Sequence, residues 1–459
     1  MIKNLLDIIQ RIKNKDISVW IKDNEIENRI DWIDLDVKNI VNIIKQKLYG
    51  ISSYDNVILL GMGGSSLAPL VFTTLYPIKK KVYVLDTINP DQIKMVYDEI
   101  VSKNNIFIVS SKSGTTLETV VLYRYFYNLF PRSFFIFITD KDNPLDKEAK
   151  ENNKLVFNPN PNIGGRYSAF TEFGLVPSFL AGVDIDKISK DFEDIKESLL
   201  EFINKNFLGF YEMEKVKVES DIYYLFFRYY KNDFVMGLWL EQLIAESTGK
   251  NKRGILPVVY RNYNFNVPKD RILGNFELTN YLEDLSKWMY VWFIYTAAVS
   301  SYLGVNPFNQ PDVQLSKDVT NKVIKENYDI FEYYEIVDNF DTIFEKVKKW
   351  ILVSEDYPYI AIQFYSSFDY FDLLENLRDK LAEFSGRVVV CGFGPRYLHS
   401  VGQFYKGGPE KAAFIQVIVE PKNDLGYINK YFVAQALGDL ITMKNLNKKV
   451  KGFYVKAKN

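Results

Sequence analysis

The sequence predicts an α/β protein built from two three-layer domains, each a parallel, doubly wound sheet covered by helices. Three observations carry this. From residue 56 onward, short β-branched or aromatic runs alternate with helical stretches. The runs are apolar throughout rather than alternating, as strands buried on both faces are. Two stretches, VILLGMGGSSLAPLV (57–71) and VVVCGFGPRYLHSVG (388–402), repeat the same pattern of apolar strand, Gly-x-Gly turn and helix, which points to two related domains. A chain of 459 residues is also too long for a single core.

The N-terminal segment, 1–45, opens on an amphipathic helix interrupted by charges. The first domain, 46–185, should contain strands at 57–60, 81–85, 106–109, 134–139 and 155–157. Helices at 66–76, 91–100 and 116–130 separate them, the second started by an Asn89-Pro90 cap. A helical connector is expected over 186–230. The second domain, 231–459, should carry strands at 255–259, 359–364, 387–391 and 413–419. Its tail, 444–459, has six lysines around one apolar stretch, GFYV, and reads as a terminal strand or docking segment.

The totals exclude several classes of function. With 57 basic and 58 acidic residues the net charge is −1, which argues against a nucleic-acid or anionic-membrane partner. Any affinity for phosphate must be local. One cysteine, Cys391, rules out an internal disulfide and a cysteine-cluster zinc site, and suits a reducing cytoplasm. One histidine, His399, rules out His-pair metal motifs. The N-terminus lacks the apolar core of a signal peptide, and the longest uncharged apolar stretch, 288–303, is short for a membrane span. A soluble cytoplasmic protein is expected. The high Phe and Tyr content looks like genome bias and is given no functional weight.

Three stretches carry chemistry. GMGGSS (61–66) follows a strand and opens a helix, so its glycines let the backbone come close to a ligand and the helix N-terminus offers free N–H groups to an anion. Asp86, at the end of the next strand, also suits a dinucleotide fold, but Ser66 stands where the third glycine of G-x-G-x-x-G belongs. A tight turn with no ligand is equally open for this stretch. SSKSGTTLET (110–119) follows the third strand and groups Ser111, Lys112, Ser113, Thr115 and Thr116 around Gly114. Hydroxyls, N–H groups, one lysine and a helix N-terminus suit a phosphate monoester, for which a dinucleotide domain has no use at that place. LEQLIAESTGK (240–250) closes an apolar helix, FVMGLWLEQLIA (234–245), with Gly249 fitting the stop. Glu246 then meets the negative end of the helix dipole, and Gln242 shares its face four residues earlier. The bland alternative is a half-exposed Glu on an ordinary helix end.

GMGGSSLAP followed by SKSGTTLET resembles the sugar isomerase (SIS) domain of the phosphoglucose isomerase family. GGRYSAFTEFGLVP (164–177), EQLIAESTGK (241–250) and NPFNQPDVQLSK (306–317) are each similar to a signature of that family. GPRYLHSVGQFYKGGP (394–409) and AQALGDL (434–440) look like the branch found fused to transaldolase; at this length a free-standing isomerase is expected. The resemblance implies SIS-type, flavodoxin-like domains and isomerisation of glucose 6-phosphate and fructose 6-phosphate through a cis-enediol(ate), in glycolysis and gluconeogenesis. It implies that Gly64, Ser65, Ser111, Lys112, Ser113 and Thr116 hold the sugar phosphate. Arg166 would stabilise the enediolate oxygen, Glu246 would be the base with Gln242 beside it, and Gln310 and Lys317 would contact substrate oxygens. His399 would help open the ring, although the commoner family pattern places its histidine soon after the base and before the Gln/Lys motif. Bland readings remain for each: a packed His399, an Arg166 that only pins its loop, and Gln310 and Lys317 on a solvated helix face. Lys406 is assigned no chemistry. The resemblance further implies a homodimer with its site near the interface, a small-molecule sugar phosphate as partner, and neither metal nor cofactor. The alternatives are a non-catalytic SIS-domain regulator that binds sugar phosphate, and an isomerase that also accepts mannose 6-phosphate.

Overall fold

The first apolar runs form a parallel sheet of β1 (Asn56–Gly61), β2 (Lys81–Leu85), β3 (Asn105–Ser110), β4 (Phe134–Ile138) and β5 (Leu155–Phe157), in the order β2-β1-β3-β4-β5. The computed structural model describes residues 2–456 apart from 52, 207–211, 214, 217–219, 263–266, 327 and 353–356. β1 and β3 are buried at every position, which is why their sequences do not alternate. Asn89 caps the helix Pro90–Ile100, its side chain accepting from Gln92 N.

The strand expected at 255–259 does form, but not in the second large sheet. It is β7 (Gly254–Tyr260), which pairs with β6 (Ile222–Arg228); β8 (Ile272–Glu277) completes a small parallel sheet, β7-β6-β8. The segment read as a helical connector is helical over Ile185–Asn206 and then supplies β6. Part of that connector lies outside the described residues. β6 reads IYYLFFR and is buried at its first six positions; its aromatic, β-branched content is strand-like, and the preceding helical pattern masked it.

The second five-stranded sheet contains β9 (Tyr334–Val337), β10 (Tyr359–Tyr365), β11 (Val388–Phe393), β12 (Ala413–Val419) and β13 (Lys449–Val455), in the order β11-β10-β12-β13-β9. Every pairing is parallel, so both large sheets are doubly wound as expected. The basic tail is an inner strand with GFYV buried between β12 and β9. The repeated Gly-x-Gly pattern does not mark equivalent strands: β1 is internal to its sheet, whereas β11 lies at an edge.

The long apolar stretch is the helix Leu285–Leu303, buried almost all round against the helices Ile2–Lys13, Ile185–Asn206 and Phe234–Thr248. Among the described residues, no helix is long and apolar enough to cross a membrane.

Loops at the carboxyl ends of the two large sheets meet. Arg396, after β11, grips Asp86, after β2, through bonds of 2.6 and 2.7 Å. Phe368 N, after β10, donates to Gln92 Oε1, and Asn423 N, after β12, donates to Asp91 Oδ1. Ligands of open α/β sheets bind at these ends, where the strand order reverses. In the first sheet that reversal lies between β1 and β3.

Candidate active site

The two loops at that reversal are 61–66 and 110–116. In the second, Ser111 Oγ and Thr116 Oγ1 lie 3.0 Å apart, and Ser113 Oγ accepts from Thr115 N at 3.3 Å. Thr116 is the N-cap of the helix Leu117–Leu129, yet its side chain makes no cap bond, so this end keeps N–H groups for an anion. Ser65 is buried in the first loop. Lys112 departs from expectation. Its Nζ donates to both Asp140 oxygens, at 2.9 and 2.8 Å, and to Pro161 O at 3.0 Å, so in this state the ammonium serves the loop rather than an open cradle. Burial lowers its pKa and raises that of Asp140.

Glycines bring the remaining groups close. A Cβ on Gly64 would stand 2.1 Å from Gly165 O, so the Gly-Gly-Arg turn packs directly on the 61–66 loop. Gly63 has φ +55, and a Cβ there would lie 2.7 Å from His399 O and 2.9 Å from Gln242 Nε2. These two positions let the arginine turn, the helix that carries Glu246 and the histidine turn converge on one loop.

Glu246 lies near the end of the helix Phe234–Thr248, with 14% of its side chain exposed. Its Oε2 is 3.4 Å from Arg166 Nε and accepts from Gln242 Nε2 at 3.2 Å. Gln242 also donates to His399 O at 2.9 Å. The carboxylate is therefore joined through Gln242 to the turn that carries His399. Arg166, 3% exposed, offsets the unfavourable helix end. It is held by Pro307 O and Asn309 O and by Gln310 Oε1, so the motif at 306–317 reaches the site through Gln310. Lys317 is exposed on the helix Gln314–Lys325 and is not drawn into this cluster.

His399 Nε2 lies 2.7 Å from Glu118 Oε1, which also accepts from Gln435 Nε2 at 2.5 Å. Burial alone would raise the Glu118 pKa, but the charge and hydrogen bond of His399, the residue's own N–H and Gln435 together lower it. An ionised carboxylate only accepts, so Nε2 carries the proton and Nδ1 is left for a ligand. Glu118 and Gln435 are not among the residues singled out in sequence. The signal was present: Glu118 is an acid two residues past Thr116, in a chain whose single histidine needs an acidic partner. Lys250 was also missed. Its buried Nζ donates to Ser247 O and Asn306 O, tying the end of the helix that carries Glu246 to the segment that holds Arg166. Asp86, whose position suited a dinucleotide fold, is instead occupied by Arg396.

A carboxylate beside an arginine is thus linked through Gln242 to the turn of a carboxylate-bound histidine, whose partner Glu118 lies two residues past Thr116 of the hydroxyl-lined loop. The family model for phosphoglucose isomerase matches residues 13–250. The chain belongs to the phosphoglucose isomerase family. It is 31% identical to the glucose-6-phosphate isomerase of Methanocaldococcus jannaschii over 259 residues, which is 51% of this chain and 62% of that one. With that of Campylobacter jejuni it shares 27% over 238 residues, 46% of this chain and 55% of the relative. The matches thus span under two thirds of these relatives. The glucose-6-phosphate isomerase of Mycoplasma capricolum aligns over more of its own length, 84%, at 25% identity and 61% of this chain. Among solved structures, hypothetical protein TT0462 of Thermus thermophilus superposes with a TM-score of 0.56, at 19% identity, covering 71% of this chain and 95% of that one; the likeness is one of fold. The family match ends at Lys250 and so covers the 61–66 and 110–116 loops, Arg166 and Glu246 but not His399.

Proposed function

We propose that the chain interconverts glucose 6-phosphate and fructose 6-phosphate by moving one proton between C1 and C2 through a cis-enediol(ate). The phosphate sits at the Ser65, Ser111, Ser113 and Thr116 groups and the start of the helix Leu117–Leu129, and Lys112 rearranges from Asp140 to meet it. Binding energy from this remote group positions the reacting carbons. His399, oriented by Glu118 through Nε2–H, takes the C1 hydroxyl proton on Nδ1 and hands it to the ring oxygen as the bond from C1 to that oxygen breaks and the C1 carbonyl forms. Glu246 Oε2 then takes the proton from the carbon beside the carbonyl and returns it to the neighbouring carbon. Arg166 balances charge on the enediolate oxygen, an effect typically worth about 3 kcal/mol of barrier.

The observation that carries this reading is the Arg166–Glu246 pair, 3.4 Å apart and packed through Gly165 and Gly64 onto the phosphate loop. A non-catalytic sugar-phosphate regulator would have no use for that pair. The same family reading supports a cytoplasmic homodimer acting in glycolysis and gluconeogenesis. The test is Glu246→Gln, assayed with fructose 6-phosphate and coupled oxidation of glucose 6-phosphate. Turnover should drop at least about 1,000-fold with substrate still bound. Near-normal turnover would remove Glu246 as the base.

A further inference from the structure

The C-terminal region holds a buried polar cluster to which the isomerase reading gives no task. Its centre is Asp439, fully buried in the helix Tyr427–Asn445. Asp439 Oδ1 is 2.8 Å from Lys406 Nζ, itself only 1% exposed, and accepts from Ser316 Oγ at 3.3 Å. Oδ2 accepts from Tyr397 OH at 2.7 Å. These donors come from three places: the turn that carries His399, the helix Gly402–Gly407, and the helix on which Lys317 follows Ser316. Tyr397 gives its single hydroxyl proton to Asp439, so its oxygen accepts from Gln416 Nε2 at 3.2 Å. Burying an ion pair costs several kcal/mol per charge before the attraction is counted, and apolar side chains of similar volume often hold a fold equally well. Stability alone therefore gives a weak reason for this pair.

Its geometry gives a better one. Gln435 lies one helical turn before Asp439, on the same face. Gln435 holds Glu118, which holds the His399 imidazole; Asp439 holds Tyr397, two residues before His399. One helix thus grips the histidine turn at two points. We propose that Asp439, paired with Lys406, is a positioning residue for His399, fixing the backbone turn while Gln435 and Glu118 fix the ring. This rests on His399 being the ring-opening group. It also assigns work to the AQALGDL and KGGP motifs.

The test uses the fact that His399 is the only histidine. In chain carrying 13C-labelled histidine and no histidine tag, one imidazole Cε1–H signal appears and needs no assignment. Asp439→Asn and Tyr397→Phe should both move that signal. Each should lower kcat at least about tenfold while KM stays within about threefold, the pattern of a lost step rather than lost binding. In a His399→Gln background the same substitutions should change kcat less than about twofold, because residues acting through one group are not additive. An unmoved imidazole signal, or equal losses in both backgrounds, overturns the proposal. Tyr397→Phe removes only an oxygen, so it decides the matter even if Asp439→Asn fails to fold. Absence of isomerase activity in the parent chain would fault the functional reading instead, and the imidazole signal would still decide whether Asp439 sets His399.

Discussion

Glu241 offers a prediction whose size follows from the structure. It is buried one residue before Gln242, and its closest described donor is Ser400 Oγ, at a long 3.4 Å from Oε1. Burial pushes its pKa from 4.5 up to about 7, with the Ser400 hydroxyl and the Arg396 charge recovering only part. The folded chain therefore holds this proton between pH 4.5 and 7, where the unfolded chain releases it. Folding stability then falls as pH rises through that window and levels off above it. At about 1.4 kcal/mol per pH unit, the gap amounts to roughly 3 kcal/mol. Glu241→Gln carries no ionisable group and escapes the loss. Relative to the parent, it should gain about 3 kcal/mol between pH 4.5 and pH 8. With an unfolding entropy near 2.1 cal/mol/K per residue, that is a relative rise in Tm of roughly 3 °C if the chain unfolds as one unit. Calorimetry of both proteins at pH 5, 6, 7 and 8 reads it. Parallel pH curves would refute the buried, protonated carboxyl.

Glu118→Gln keeps the shape but removes the negative charge that holds the His399 proton, so turnover should fall by about 10- to 100-fold with KM little changed, measured by steady-state kinetics. The lowered Glu118 pKa stabilises the fold above the unfolded value and loses that contribution as pH falls through the folded one; the variant's acid-unfolding curve should therefore be flatter. Thr116→Ala and Lys112→Ala should raise KM for phosphorylated sugars at least about tenfold with kcat within about threefold, and unchanged affinity would place the phosphate elsewhere. Gly64→Ala drives a Cβ to 2.1 Å from Gly165 O, a backbone atom that cannot rotate away. It should lower Tm and turnover together, whereas a neutral result would mean that the two glycine turns do not pack as described.

How much of this was legible in the chain depended on the range of the interactions concerned. Strands such as 81–85, 155–157 and 413–419 form over the residues expected, because unbroken apolar runs between caps and glycines specify buried parallel strands locally. The clustering of hydroxyls at 110–116 ahead of a helix was likewise legible, since these residues are contiguous in the chain. The sheet membership of β7 was not: its run is identical in character to those of the large sheets, and only its pairing with β6 decides where it belongs. Nor was the engagement of Lys112 by Asp140, 28 residues away.

By itself, then, the order of residues determined the strands of the first sheet, the adjoining hydroxyls and helix start at 110–116 and which acid stood at a helix end, all matters settled within a few turns of backbone. Only the tertiary structure decided that Glu246 meets Arg166, that His399 meets Glu118 across 281 residues, and that Asp439 accepts from Tyr397 in the turn that carries His399. Such contacts depend on how two sheets present their carboxyl ends to each other, and short-range propensity carries no record of that orientation.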